Sequence, residues 1–81
     1  MEYPKSWKEE DSKLTKNFEF ENFVQAIDFV KNIAPLAEEM NHHPDILIFS
    51  YKKVKVMLVT HDQGNKITEK DIFLAQKIDQ I

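Results

Sequence analysis

From Phe23 to Ala37, apolar residues return at three- and four-residue steps: Phe23, Ala26, Ile27, Val30, Ile33, Ala34 and Ala37. That spacing lays one apolar stripe along a helix, and the rest of the chain has to cover it. Asn22 stands where it can cap the helix, with Gln25 three residues on in capping-box position. Pro35 falls inside the pattern. A proline there removes one backbone hydrogen bond and clashes one turn back, at about 3 kcal/mol. The expectation is a kink at Pro35 or a second short helix beginning there. Either way the helix has to stop by Pro44.

Strand patterns flank this helix. Residues 6–20 read as a hairpin: Trp7 opens a short polar strand, Asp11-Ser12 has turn chemistry, and Leu14, Phe18 and Phe20 fall on one alternating face. Residues 45–61 read as a second hairpin, with Val54, Val56 and Leu58 on the core side, Lys55 opposite, and the turn at Lys52-Lys53. Asp62-Gln63-Gly64-Asn65 is a loop. Thr68 then caps a final helix, with Asp71 at the capping-box position and Ile67 and Ile72 as a staple across the cap. Leu74, Ala75, Ile78 and Ile81 continue its stripe. The order strand-strand-helix-strand-strand-helix predicts an α+β fold, a four-stranded antiparallel sheet with helices packed on one face.

The 81 residues make one domain, 1–81. A domain this small buries only roughly 60–65% of its unfolded surface, so association between copies is expected. Cysteine is absent, which removes disulfides, thiolate metal sites and cysteine nucleophiles and fits a cytoplasmic protein. Gly64 is the only glycine, so there is no glycine-rich phosphate loop. A net charge of −3 lacks the basic excess of a general nucleic-acid binder, and Lys52, Lys53 and Lys55 read as a solvated turn. No apolar run approaches the roughly 20 residues that span a bilayer. Met1-Glu2-Tyr3-Pro4-Lys5 opens without the apolar region of a signal peptide.

Three histidines remain, and the second hairpin relates them. With its turn centred on Lys52-Lys53, Asp45 faces Thr60 and Pro44 faces His61. His42, His43 and His61 then converge at one end of the sheet, beside Asp45 and Asp62. Histidine exchanges protons near neutral pH. One imidazolium can protonate a leaving oxygen while another imidazole accepts a proton, with the carboxylates orienting the rings. Taken singly, a His pair at a helix end helps to end the helix, and a His closing a strand is solvated. Only their convergence brings chemistry into play. A metal centre is not expected, because zinc motifs more often space histidines three to five residues apart, although Asp45 and His61 could complete one.

The run Glu38-Glu39-Met40-Asn41-His42-His43-Pro44-Asp45, then Tyr51-Lys52-Lys53-Val54, Thr60-His61-Asp62, Asp71 and Leu74-Ala75, resembles the pterin-4a-carbinolamine dehydratase family. Phe18-Glu19-Phe20-Glu21-Asn22-Phe23 is similar to the aromatic segment that opens the family's long helix. The resemblance covers Trp7 to Ile81. His-His-Pro-Asp together with Thr-His-Asp is specific, where either half alone would be weak. It implies an enzyme, a 4a-hydroxytetrahydrobiopterin dehydratase. Such an enzyme removes water from a pterin 4a-carbinolamine to give quinonoid dihydropterin, recycling the cofactor of aromatic amino-acid hydroxylases. It implies no metal and no organic cofactor.

By the resemblance, His42 and His61 are the acid–base pair and His43 binds and orients the pterin. Glu38, one helical turn before His42, and Trp7 match active-site positions, and Asp45, Thr60 and Asp62 are expected at the substrate. Trp7 is equally well explained as a core or interface anchor, and Glu38 as a surface carboxylate. Family members often begin with an extra helix before the tryptophan, for which this chain has too few residues. The loop Gln63-Gly64-Asn65-Lys66 is one residue longer than a common Gly-Gly form, and Asn41 stands where an acidic residue can occur. The resemblance implies homodimers or homotetramers, built by pairing sheet edges and packing long helices. A second reading is a binding module of the same fold, coactivator-like or molybdopterin-related, that holds a pterin or a protein without turnover.

Overall fold

The computed structural model describes residues 2–81. Its elements are β1 (Lys8–Glu10), β2 (Lys13–Glu19), α1 (Phe23–Met40), β3 (Asp45–Phe49), β4 (Lys53–Leu58) and α2 (Glu69–Ile78), with a 3₁₀ turn at His61–Gln63. The strands form one antiparallel sheet in the order β1-β2-β4-β3. Both helices lie on one face of it, as expected. The alternation in β4 explains this. Val54, Val56 and Leu58 are fully buried beneath the helices, while Lys53, Lys55 and Met57 point the other way. Leu14 from β2, Phe29 and Ile33 from α1, and Leu74 and Ile78 from α2 close the core. Two of the three lysines expected to be solvated pair with carboxylates, Lys55 with Glu10 at 3.6 Å and Lys52 with Glu19 at 3.4 Å. Each such exposed pair contributes at most about 1 kcal/mol.

Helix α1 runs without interruption through Pro35. Pro35 and Lys31, whose carbonyl loses its partner, are both exposed, so water can satisfy the freed oxygen. The Pro35→Ala variant restores that hydrogen bond and removes the clash. It should gain about 2 kcal/mol, read as a raised midpoint in urea unfolding. The buried face of α1 also differs from the expected one. Ala26, Phe29, Ile33 and Ala37 are buried, whereas Phe23 and Ile27 are 52% and 41% exposed. Two stripes overlap on this helix. The sheet takes the one containing Phe29, whose ring sits 4.6 Å from that of Phe18 and 4.9 Å from that of Phe20.

The first hairpin turns at Asp11-Ser12, as expected. Both residues have positive φ (51° and 66°), which suits the right-handed twist of the strands. The second hairpin does not turn at Lys52-Lys53. Its loop is Ser50-Tyr51-Lys52, so Asp45 opposes Met57 rather than Thr60, and Ile46 opposes Val56. Ser50 and Tyr51 supply the left-handed backbone (φ 49° and 52°) without a Gly or Asn to announce it. As a result β4 ends at Leu58, and His61 lies beyond the ladder in the 3₁₀ turn. No helix among the described residues is long and apolar enough to cross a membrane.

Candidate active site

Helix α1 ends at Asn41, which takes left-handed backbone (φ 49°). Asparagine tolerates that conformation better than other non-glycine residues. Its N–H caps the carbonyls of Ala37 and Glu38, and the His42 N–H donates to the Ala37 carbonyl at 3.1 Å. Pro44 then commits the chain to β3. On the other side, Thr60 pairs with Lys66, and the loop between them turns through Gly64 and Asn65, both at positive φ. The beginning of β3 and the end of β4 meet at the same end of the sheet, so the three histidines converge despite the changed register. His42, His43 and His61 line a cavity of about 390 Å³, with Asp45, Asp62 and Lys70 as its charged walls. Asn41, Pro44 and Val59 complete it.

Behind His42 lies a carboxylate that is fully buried. The Nε2 of His42 is 2.5 Å from Oδ1 of Asp71. The other oxygen of Asp71 accepts the Thr60 hydroxyl at 2.8 Å and the Thr68 N–H at 2.9 Å. The hydroxyls of Thr60 and Thr68 lie 2.6 Å apart. Asp71 was expected only as the capping-box residue of α2, a role it does fill. Its second role, backing His42, was missed, although Asp71 stood in the run that resembles the family. A charge buried this deeply is tolerated only because partners surround it. Thr60, expected at the substrate, is 1% exposed with its hydroxyl turned to Asp71, so it stands behind His42 and not on the cavity. Thr60→Val keeps the shape and removes one of the donors to the carboxylate. Thermal or urea unfolding should show a loss of about 1–3 kcal/mol.

The other two rings are held at the surface. His43 Nε2 lies 2.5 Å from Oε2 of Glu38, and both side chains are largely exposed. Glu38 touches the cavity only through His43. His61 Nδ1 is 2.8 Å from Oδ1 of Asn65. That amide oxygen can only accept, so Nδ1 carries a hydrogen, and Nε2 is the nitrogen that holds the lone pair whenever the ring is neutral. Asp45 is paired with Lys13 at 3.2 Å. Trp7 is a core residue here, 4% exposed, with its indole N–H on Asp79 at 3.0 Å and its ring edge-on to Phe18. It does not line the cavity. Among the described residues, no three His, Asp or Glu side chains are grouped so as to hold a metal ion.

The fold is thus a small α+β sheet domain with three histidines and two carboxylates gathered around one cavity at the end of its sheet. A family profile described as pterin 4 alpha carbinolamine dehydratase matches residues 1–81, and the chain belongs to that family. A protein of Sulfolobus acidocaldarius, provisionally named pterin-4-alpha-carbinolamine dehydratase, is 47% identical over 75 residues, which span 93% of this chain and 80% of the relative. A protein of Picosynechococcus with the same provisional name is 49% identical over 75 residues, spanning 93% and 79%. Among solved structures, a transcriptional coactivator/pterin dehydratase from Brucella melitensis superposes with a TM-score of 0.84 at 35% identity, over 94% of this chain and 81% of that one. A pterin dehydratase-like protein described as a RuBisCO assembly factor in the alpha-carboxysome gives 0.74 at 29% identity, over 93% and 87%.

Proposed function

We propose that this protein is a 4a-hydroxytetrahydrobiopterin dehydratase working by general acid–base catalysis. The observation that carries the reading is one cavity with two differently prepared imidazoles. His42 is backed by a buried carboxylate, and His61 is held through Nδ1 by Asn65, so that its neutral form offers Nε2 as the base. Because Asp71 occupies Nε2 of His42, Nδ1 is the nitrogen left for substrate. In the proposed step the His42 imidazolium gives its proton to the 4a-oxygen, the C4a–O bond breaks, and water leaves. His61 Nε2 takes the proton from N5, and the electrons of that N–H bond form the C4a=N5 double bond of quinonoid dihydropterin. Solvent then returns both rings to their starting states. His43, steadied by Glu38, orients the pterin together with Asp45 and Asp62 at the rim. Thr60 contributes through Asp71. Positioned acid and base groups of this kind are each worth about 10²–10⁴ in rate.

The test is spectroscopic. Purified protein is mixed with freshly generated 4a-carbinolamine, and quinonoid dihydropterin is followed by absorbance. Acceleration over buffer supports the assignment, and a rate equal to buffer sinks it.

The same proposal includes a homodimer or homotetramer. Phe23 and Val24 on α1 are 52% and 66% exposed, and β3 is an unpaired sheet edge carrying Leu47 at 51%. Covering that edge would remove an aggregation liability. The same surfaces favour a second reading, a module that docks a protein partner, in line with the assembly factor of similar fold. Stoichiometric binding of a defined partner by a protein that shows no turnover would select it.

A further inference from the structure

We propose that Thr68 is a positioning residue for His42. By donating its hydroxyl hydrogen to Thr60, it keeps the Thr60 hydrogen on Asp71 and so holds the Asp71 carboxylate against the ring. The inference rests on the dehydratase reading above, which takes His42 as the acid. Three side chains stand in series behind that ring. The Thr68 and Thr60 hydroxyl oxygens are 2.6 Å apart, Thr60 Oγ1 is 2.8 Å from Asp71 Oδ2, and Asp71 Oδ1 is 2.5 Å from His42 Nε2. Thr60 and Asp71 are buried, so their partners come from within the chain.

Thr60 has one hydroxyl hydrogen and two acceptors within reach of it, and Thr68 Oγ1 is the nearer. If Thr60 donates to Thr68, Asp71 Oδ2 is left with the Thr68 N–H alone. If Thr68 donates to Thr60, the Thr60 hydrogen stays on the carboxylate and both contacts are made. A carboxylate favours the second arrangement, because hydrogen bonds to it are the stronger ones and each bond in a chain strengthens the next. Thr68 is the outer member. It is partly exposed and lines a second cavity, of about 390 Å³, together with Gln63, Ile67, Glu69 and Lys70. Neither Thr68 nor Thr60 lines the histidine cavity, so Thr68 reaches the ring only through two other side chains. Its local duty is different. It caps α2, its oxygen accepting from the Lys70 N–H at 3.3 Å. The cap needs an acceptor at position 68, and the chain to His42 needs a donor there.

That difference separates the two duties by experiment. Thr68→Asp keeps a good cap but can only accept, so it draws the Thr60 hydrogen off Asp71. Thr68→Ala loses the cap and, with it, the competing acceptor. Thr68→Ser keeps both. For each variant, kcat and KM for the carbinolamine are measured beside the urea midpoint. The Asp variant should be more stable than the Ala variant and yet slower. Its kcat should fall about tenfold, the loss of one net hydrogen bond to a charged group, against about twofold for Ala. KM should stay within about twofold throughout, because the chain does not touch the substrate. Ser should restore the parent kcat. In a Thr60→Val background there is no hydrogen to contest, and Thr68→Asp should change kcat by less than about twofold. A rate that follows stability, Ala slower than Asp, overturns the proposal. So does a tenfold loss that persists in the Thr60→Val background. Where the Asp variant does not fold, the Ala variant decides: a twofold loss that vanishes in the Thr60→Val background supports the proposal, and a tenfold loss overturns it. The His42 Nε2–H resonance, followed by NMR in the same proteins, needs no turnover. It should move in Thr68→Asp and hold its place in Thr68→Ser. Turnover with an unmoved resonance and unchanged kcat in the Asp variant removes the role of Thr68 and leaves the enzyme. A moved resonance in a protein without turnover keeps the chain onto His42 and removes the enzyme. An unmoved resonance without turnover removes both.

Discussion

The Asp71→Asn variant is expected to fold, to lose about 1–2 kcal/mol of stability, and to dehydrate its substrate about 10²–10⁴-fold more slowly. The carboxamide oxygen can still accept from Thr60 and Thr68, the two donors that Asp71 serves with Oδ2. Its NH₂ group then faces Nε2 of His42, where Oδ1 stood at 2.5 Å. Two donors cannot share that contact. The ring has to keep a lone pair on Nε2, so it cannot become the imidazolium that the proposed step requires. Asp71→Ala goes further. It leaves a void, strips the cap of α2 and orphans buried donors, at about 3–5 kcal/mol, a large part of the stability of a domain this size. Urea unfolding read beside kcat separates the two effects. Full kcat in a folded Asn variant would falsify the role given to His42.

His61→Ala should behave in the opposite way. His61 is exposed and its one side-chain bond is to Asn65, another surface residue. Its loss should leave stability within about 0.5 kcal/mol of the parent. The rate should nevertheless fall by about 10²–10⁴, because the proposed base is removed. Asn65→Ala leaves the ring in place but free to turn, and should cost about tenfold in rate by misorienting the base. An unchanged melting temperature with a collapsed rate for His61, and a smaller loss for Asn65, is the pattern expected of a ring held for chemistry. Unchanged kcat in both variants would move the base elsewhere.

Local chemistry was the legible part of this chain. Asn22 and Thr68 announced their helix starts, Asp11-Ser12 its turn, and the even positions of β4 their core face. The histidine cluster was legible too, because adjacent hairpin ends must share one end of a sheet whatever the register. Two kinds of feature were not legible. Ser50 and Tyr51 adopt a backbone that their side chains do not favour, so the second register was misplaced by three residues. Asp71 had a complete local explanation as a cap, and nothing in its neighbours marks that its other oxygen reaches His42 from 29 positions away. Choosing between the two overlapping stripes of α1 likewise needed the aromatic rings of β2 and the segment after it.

The double duty of Asp71 turns one backbone amide into a gauge of the site. The Thr68 N–H is bonded to the same carboxylate that faces His42. Each time the first turn of α2 frays, that amide opens to solvent and the carboxylate loses one of its two anchors, the Thr60 hydroxyl being the other. Hydrogen exchange at Thr68 therefore counts the moments when the backing of His42, the proposed acid, is loosened. Solvent additives or variants that slow exchange at this single position lengthen the share of time that His42 is backed by its carboxylate, with no change to any residue that lines the cavity.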